Sequence, residues 1–328
     1  MKKILSHFAN IISYLYSRLI NYNLMLLNFS NNNFYYNHSL GFGDSICYYL
    51  HYYKEIQSSK QNVPLTFGGF HEEIVKFFFS KYRITFFKIY SFMPYYRICK
   101  YLINSSSYKP IINYKIDYQD GLPKDELLLI KNYDSIFKKI IKKKYVSSQI
   151  IELTKKKYIC FFVKNYNNDI NDISSNPVSR QTTDFNKIDK IFSYLISKNL
   201  NIFILGDYKD KGTAILKKKY YNEKNVYFTA DFSVNVTEQI YINSKSKGFI
   251  GNQAGLIIPF ILLKKKTLVF DSIFTPSIKN NTNLKHLTYL FKKIIINKKK
   301  FRLSGKYAFC KKTYNIVEND FDEIKKKN

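Results

Sequence analysis

The chain has 328 residues and a formal net charge of +29, with 45% hydrophobic residues, 30 Tyr, 28 Phe and no Trp. This hydrophobic content excludes an intrinsically disordered protein, and the length predicts two domains. A strongly basic chain attracts nucleic acid or anionic membranes. However, richness in Lys, Asn, Ile, Tyr and Phe is equally typical of an AT-rich genome, so the charge alone identifies no partner.

The N-terminal segment predicts an amphipathic helix. Two lysines precede it, and its apolar residues share one helical face: Ile4, Phe8, Ile11, Leu15 and Leu19. Polar residues interrupt the segment and no small-residue cleavage site follows, so we predict no signal peptide. No run of 18 apolar residues occurs, which predicts no membrane-spanning helix. The apolar face either packs on a core or lies at a membrane interface.

The first half, residues 1–150, predicts an α/β domain with strands near 64–67 and 83–87 and a helix near 74–79. Its strongest candidate site is the loop Gly41-Phe-Gly-Asp44. Gly41 and Gly43 permit close approach of a ligand, and Asp44 at a helix start is placed to take a proton from a hydroxyl group. A plain glycine turn capped by Asp44 explains the loop equally well. His38 is a weaker candidate base.

The second half, residues 151–328, alternates short apolar runs with amphipathic helices. Strands are predicted at 158–163, 201–205, 226–229, 247–251 and 267–271, with helices at 185–195, 213–221 and 236–244. This alternation is typical of βαβ units, so we predict a doubly wound α/β domain with a parallel sheet. Cys160 is expected to be a buried free thiol, and the charged tail 318–328 is expected to fray.

Ligands of parallel sheets bind at the carboxyl ends of the strands, which directs attention to three loops. The loop 164–183 carries Arg180, whose planar fork of donors suits a pyrophosphate, although an ordinary surface arginine is as common. After the next strand, Gly206 lets the backbone approach a base or ribose and Asp207 can accept from hydroxyl groups. A plain turn is the alternative there.

The third loop is the segment 247–255, a buried strand followed by a glycine turn and the start of an apolar helix at Gln253. Such a turn aims backbone N–H groups at one point, as phosphate binding requires. The candidate ligand-binding residues are Gly251, Asn252, Gln253, Ala254 and Gly255. An ordinary strand-to-helix connection fits the segment equally well. Upstream, Asn235-Val-Thr-Glu238 has capping-box spacing, so Glu238 is a helix-start residue that has a second possible role on a ligand ribose.

The Gly-x-Gly-Asp loop, the run Val-Thr-Glu-Gln-Ile-Tyr and the run Phe-Ile-Gly-Asn-Gln-Ala-Gly-Leu together resemble bacterial glycosyltransferases of the GT-B architecture. Residues 157–272 are similar to polysaccharide-cluster enzymes related to fucosyltransferases, in which Arg180 and 251–255 match the positions that bind the diphosphate. Lys164 stands where those relatives have a first arginine, and Ala254 stands where many have serine. The loop 41–44 resembles that of heptosyltransferases, whose aspartate is the catalytic base, and this assigns that role to Asp44.

The resemblance implies two Rossmann-like domains that face a central cleft. It further implies an inverting, metal-independent enzyme that moves a sugar from a nucleotide-diphosphate donor to a hydroxyl of a cell-surface glycan or glycolipid. No cofactor besides the donor and no nucleic-acid partner is expected. The expected location is the cytoplasm, with peripheral contact at the inner face of the membrane as a further option.

Two alternatives are kept. A nucleotide-sugar epimerase or reductase is disfavoured because no strand runs into Gly-x-Gly-x-x-Gly with an acidic residue at the usual distance. A non-catalytic polyanion-binding protein is disfavoured because the lysines are scattered and not grouped with aromatic residues on one motif.

Overall fold

The computed structural model describes residues 2–26, 35–36, 46, 63–68, 84–89, 146–164, 183–274, 284–304 and 315–327. The chain divides into two compact units, residues 1–116 and 117–328. The sequence-based boundary at 150 falls inside the second unit, within a helix whose start is hydrogen-bonded to residue 238. The assignment of 1–150 and 151–328 as domains stays a prediction.

The described part of the first unit contains one long helix and one small sheet. Helix α1 spans Lys2–Leu26. Strands β1 (Tyr35–Tyr36), β2 (Val63–Gly68) and β3 (Ile84–Ile89) form a parallel sheet in the order β1-β2-β3. The strands predicted near 64–67 and 83–87 are therefore confirmed, and the helix predicted near 74–79 lies outside the described residues.

In the described part of the second unit, α2 (Ser148–Leu153) comes first, and the unit is built on six parallel strands. These are β4 (Tyr158–Phe162), β5 (Asn201–Ile204), β6 (Val226–Phe228), β7 (Gly248–Asn252), β8 (Lys266–Ser272) and β9 (Leu287–Phe291). Their order in the sheet is β6-β5-β4-β7-β8-β9. The predicted α/β class with a Rossmann-like parallel sheet in the second half is thus confirmed.

Helices cover both faces of this sheet. They are α3 (Phe185–Ser197), α4 (Lys211–Tyr220), α5 (Val236–Lys245), α6 (Ile258–Leu262) and α7 (Phe321–Lys325). On one face Phe161 packs against Phe192 of α3, with ring centroids 5.2 Å apart. On the other face the Tyr158 hydroxyl donates to the Ile242 carbonyl of α5 at 2.6 Å. Side chains along β4 point alternately to the two faces of the sheet, so this central strand contributes to the packing on each face.

A second, antiparallel sheet follows the main one. It consists of β10 (Lys293–Ile296), β11 (Lys299–Arg302) and β12 (Asn315–Val317) in the order β11-β10-β12. Its core is small, with Ile273, Ile294 and Leu303 buried. The sequence patterns did not predict this sheet, because β11 is exposed along its whole length and rich in lysine.

One local prediction is confirmed and two are corrected. Cys160 is a buried free thiol, and burial raises its pKa. The helix expected to start at Gln253 begins later, with a 3-10 turn at Gly255–Ile257 followed by α6. The tail expected to fray instead forms α7, and Glu318 and Asn319 just before it are tied to the main sheet by buried polar contacts described below. Across the part of the chain that is described, no helix is both long and apolar enough to span a bilayer.

Candidate functional site

The strand order creates a point at which the chain changes direction across the sheet. From β4 the chain moves outward through β5 to β6, then crosses back to β7 and continues through β8 to β9. The loops that leave β4 and β7 therefore diverge from neighbouring carboxyl ends. In open α/β sheets this is where ligands bind. The residues at this point are Val163 and Lys164 after β4, and Asn252 to Gly255 at the end of β7.

A side-chain clamp joins the two carboxyl ends. The fully buried Asn252 accepts a hydrogen bond from the Lys164 backbone N–H through Oδ1 at 2.9 Å and donates one to the Lys164 carbonyl through Nδ2 at 3.0 Å. The amide thus pairs with a whole peptide group, as a neighbouring strand would. Two residues that the sequence singled out separately, 88 positions apart, are brought together here, and the backbone of Lys164 is fixed at the point where β4 ends.

Gly251 serves a different purpose from the one expected. It lies inside β7, is buried, and is not part of the turn. A Cβ atom at this position would lie 2.2 Å from the Phe162 carbonyl oxygen and 2.7 Å from Cζ of Phe249. The glycine is therefore required for close packing of β7 against β4, and ligand approach is not needed to explain it.

The turn after β7 is held by Gln253. Its Oε1 accepts from the Ser272 hydroxyl and from the Ile273 backbone N–H, both at 3.0 Å, and so ties the turn to the end of β8. Ala254 is extended, and the first bond of the 3-10 turn runs from Ile257 N–H to the Ala254 carbonyl at 3.2 Å. The exposed Gly255 begins that turn. The first N–H groups of a helical segment have no partner within it, which leaves donors for an anion here.

The loop after β5 is shaped by Gly206, which has a φ of +105°. A Cβ atom here would lie 2.8 Å from both Oδ2 of Asp210 and Cε2 of Phe162. Only glycine meets both the conformational and the steric requirement. The Asp207 side chain is exposed, and its Oδ1 accepts from the Lys209 N–H at 3.1 Å. Asp207 is thus observed to stabilise the turn, and its contact with a ligand stays a prediction.

An aromatic cluster that sequence reasoning missed lies beyond this loop. The Tyr208 hydroxyl donates to Asp231, which also pairs with the Lys217 ammonium group. That ammonium group lies 4.2 Å from the ring centroid of Tyr221, 4.9 Å from that of Phe228 and 5.5 Å from that of Tyr208. Burial opposes ionisation of Lys217, but its bonds to Asp231 and Tyr208 raise its pKa. A fixed cation and a half-exposed tyrosine ring therefore stand at the carboxyl ends of β5 and β6.

Glu238 is confirmed as a helix-start residue. Its Oε2 accepts from the Asn235 N–H at 3.2 Å while the Asn235 side chain accepts from the Glu238 N–H at 2.9 Å. Its Oε1 accepts from the Ser147 N–H at 2.9 Å, across 91 residues. Glu238 is buried, and both carboxylate oxygens bind backbone. The capping box accounts for this residue, and the ribose contact remains only a prediction.

A buried polar network borders the site at the end of β8. Asp271, which is completely buried and has a φ of +50°, accepts from Lys187 and from Thr183 Oγ1 at 2.8 Å. Its Oδ1 accepts from the Asn319 N–H at 2.8 Å. Lys187 also donates to Glu318 at 2.6 Å. Thr183 directly follows residues 165–182, which include residue 180, so the network holds the chain at position 183.

Burial and charge act in opposite directions within this network. Burial raises the pKa of Asp271 above its usual range, and Lys187 opposes that shift. For Glu318, burial is outweighed by Lys292 and Lys187, which lower the pKa. Lys292 donates to Glu318 at 3.0 Å. Two acids and two lysines thus neutralise each other inside the fold.

Five predicted site residues lie outside the described residues: Arg180, Asp44, His38, Gly41 and Gly43. Of the remaining candidates, the structure brings together Lys164, Asn252 and the turn 253–255, and Gly206 lies in the loop after the neighbouring strand β5. In the described ranges no group of three or more His, Cys, Asp or Glu side chains could hold a metal ion.

No protein-family model and no curated protein matches the chain. Among solved structures, it is similar to the ADP-heptose lipopolysaccharide heptosyltransferase II of E. coli, at 10% identity and a TM-score of 0.47, covering 84% of this chain and 93% of that one. It is also similar to the UDP-GlcNAc 2-epimerase of Methanocaldococcus jannaschii, at 14% identity and a TM-score of 0.39, covering 77% and 72%.

A third similar structure is the wall teichoic acid polymerase TagF, at 10% identity and a TM-score of 0.30, covering 79% of each chain. At these TM-scores the similarities assign neither a family nor an activity. The fold class of the second unit rests instead on its own strand order.

Proposed function

We propose that this chain is a glycosyltransferase of the GT-B architecture that binds a nucleotide-diphosphate sugar at the carboxyl edge of the six-stranded sheet. The observation that supports this most directly is the clamp of Asn252 on Lys164 at the point where the strand order reverses. It joins a basic residue to a turn with backbone donors, which is a suitable environment for a diphosphate.

The proposed reaction is a single displacement with inversion. The acceptor hydroxyl oxygen attacks the anomeric carbon of the sugar, the bond from that carbon to the diphosphate oxygen breaks, and the hydroxyl proton passes to Asp44. Arg180, Lys164 and the N–H groups of the 253–255 turn stabilise the departing diphosphate. The acceptor is a glycan or glycolipid of the cell surface, and the reaction takes place on the cytoplasmic side.

The aromatic cluster supplies a place for the nucleobase in this scheme. The Tyr208 ring is 37% exposed, and its hydroxyl group is fixed by Asp231. A ring held in this way offers a stacking surface at little cost in side-chain entropy. Replacing Tyr208 with alanine is expected to weaken the binding of a nucleoside diphosphate about tenfold and to leave the binding of inorganic pyrophosphate unchanged.

Lys164 offers a specific test because the clamp holds its backbone and not its side chain. Lys164→Gln removes the ammonium group while the two bonds to Asn252 persist. Loss of one charge-assisted contact is expected to weaken the binding of nucleoside diphosphates about 10- to 100-fold, as measured by calorimetric titration. The matched control is Lys157→Gln, an exposed lysine just before the opposite end of β4, which should bind as the wild type does. An equal loss of nucleoside-diphosphate affinity in both variants, or no loss in either, would contradict the proposed site.

Catalysis is tested separately through donor turnover. Arg180→Ala and Asp44→Ala should each lower nucleotide release by about two orders of magnitude or more, because one removes leaving-group stabilisation and the other removes the base. Unchanged turnover in both variants would reject these roles.

A reductase or epimerase that uses a dinucleotide deserves comparison because the strand order, counted from β4, is the 3-2-1-4-5-6 arrangement of dinucleotide-binding folds. In those folds a glycine-rich turn follows the first strand. Here β4 is followed by Val163-Lys164-Asn-Tyr-Asn, without glycine. Titration with a nicotinamide dinucleotide should therefore give no saturable binding, and tight binding would favour the reductase class.

A further inference from the structure

Helix α1 exposes its apolar side. Seven large hydrophobic side chains along it are between 44% and 62% exposed, and all except Tyr14 lie on one side: Phe8, Ile11, Ile12, Leu15, Leu19 and Tyr22. At about 100° per residue these six fall within an arc of about 100°. We call this set the apolar face of α1. An isolated exposed leucine needs no explanation, but a continuous face of six residues does.

On the opposite side of the same helix, two polar residues are buried. Ser13 and Ser17 are both completely buried, and they lie about 180° from the middle of the apolar face. Each hydroxyl group is satisfied within the helix, since Ser13 donates to the Ala9 carbonyl at 2.5 Å and Ser17 donates to the Tyr14 carbonyl at 2.7 Å. The exposed apolar face contrasts with an ordinary surface helix, whose apolar stripe faces the core. Exposure of such a face to water is unfavourable, so the face is suited to an apolar partner.

The charge of the segment indicates what that partner is. Helix α1 carries three basic residues, Lys2, Lys3 and Arg18, and no acidic residue, and the first acidic residue of the whole chain is Asp44. A second copy of this chain, itself at +29, would meet electrostatic repulsion. A bilayer rich in anionic lipid offers both the opposite charge and an apolar layer just beneath it.

We propose that the apolar face of α1 inserts into the interfacial layer of an anionic phospholipid bilayer and that α1 lies parallel to its surface. At 25 residues the helix is about 38 Å long. Its apolar face reaches about 5–10 Å into the boundary between head groups and acyl chains, with the exposed Arg18 at head-group level. The inference is independent of the nucleotide site, because no residue of that site takes part.

The test is flotation of the full chain with vesicles of phosphatidylcholine containing about one third phosphatidylglycerol, compared with pure phosphatidylcholine. Wild-type protein should float with the anionic vesicles and much less with the neutral ones. Leu15→Ser combined with Leu19→Ser should lower the partition coefficient about tenfold or more. The control is Tyr14→Ser, the exposed neighbour of Leu15 outside the apolar face, which should change partitioning less than about twofold.

Insertion itself can be observed with a single fluorophore, because the chain contains no tryptophan. Phe8→Trp should shift its emission to shorter wavelength on addition of anionic vesicles, and Tyr14→Trp should shift less. Failure of wild-type protein to float, equal binding to both vesicle types, or equal loss in the Leu15/Leu19 and Tyr14 variants would each overturn the proposal. So would concentration-dependent self-association that the Leu15/Leu19 variant abolishes in the absence of vesicle binding.

Discussion

Lys187 is the residue at which the buried network can be tested most directly. Its ammonium group contacts the completely buried Asp271 and, at 2.6 Å, Glu318, and only 10% of its side chain is exposed. Lys187→Met keeps the length of the side chain and removes the charge. Attraction between charges about 3 Å apart is roughly 5 kcal/mol at an effective dielectric constant near 20. Breaking a buried pair by removing one partner costs about 3–5 kcal/mol, which we expect as the loss in unfolding free energy near neutral pH.

The pH dependence follows from both acids. Burial already raises the pKa of Asp271 in the folded state, so its contribution to stability is present below its unfolded pKa and declines as pH rises through the folded value. Without Lys187 that folded pKa rises further. Glu318, whose folded pKa is lowered, stabilises the fold above its unfolded pKa and loses part of this contribution with the lysine. Because of both effects, the difference in unfolding free energy between wild type and variant is expected to increase from acid to neutral pH.

The assay is urea unfolding of both proteins at about pH 5 and about pH 7.5. Lys190→Met, an exposed lysine on the same helix, is the control and should change stability by less than about 0.5 kcal/mol. Adding Asp271→Asn to Lys187→Met should remove most of the pH dependence, since asparagine cannot ionise and tolerates the positive φ at this position. The reasoning would be refuted if Lys187→Met lowered the unfolding free energy no more than Lys190→Met does. It would also be refuted if the difference in unfolding free energy between wild type and Lys187→Met decreased toward neutral pH.

Three further substitutions test the site scaffold. Gly206→Ala should lower the unfolding free energy by about 2–4 kcal/mol in urea unfolding, because a Cβ atom meets two neighbours at 2.8 Å and φ is +105°; a neutral result would contradict this loop conformation. Asn252→Ala should cost about 2–4 kcal/mol and accelerate hydrogen exchange of the Lys164 amide, which an intact exchange rate would disprove. Glu238→Ala should cost about 1–2 kcal/mol and Glu238→Gln less, since glutamine keeps one acceptor; equal losses would argue against the cap.

The sequence predicted the main sheet well because its signals are local. Strands β4 and β5 are nearly continuous apolar runs, as expected for strands covered on both faces. The predicted bounds of β4, β5 and β8 differ from the observed ones by a residue or so. The capping box at Asn235 and Glu238 is likewise a short-range pattern. At the candidate site, the identities of Lys164 and Asn252 were predictable, whereas their mutual hydrogen bonds depend on strand order.

What the sequence did not reveal depends on contacts between distant residues. Glu318 and Asn319 look like the start of a solvated tail, yet their partners Lys187 and Asp271 lie 131 and 48 positions earlier. A lysine within an amphipathic helix is normally expected to face water, and nothing near Lys187 in sequence indicates otherwise. The cluster of Tyr208 with Lys217 was missed for the same reason, because the tyrosine follows a strand and the lysine belongs to a lysine-rich helix.

The dependence of the main sheet on Glu318 and Asn319 has a consequence for biosynthesis. A nascent chain that has emerged only as far as β9 already contains all six parallel strands, but Lys187 and Asp271 still lack these partners. The domain can therefore reach its native packing only after residue 319 has left the ribosomal exit tunnel. A ribosome stalled before that point would hold a domain that has all six strands but lacks the contacts of Glu318 and Asn319.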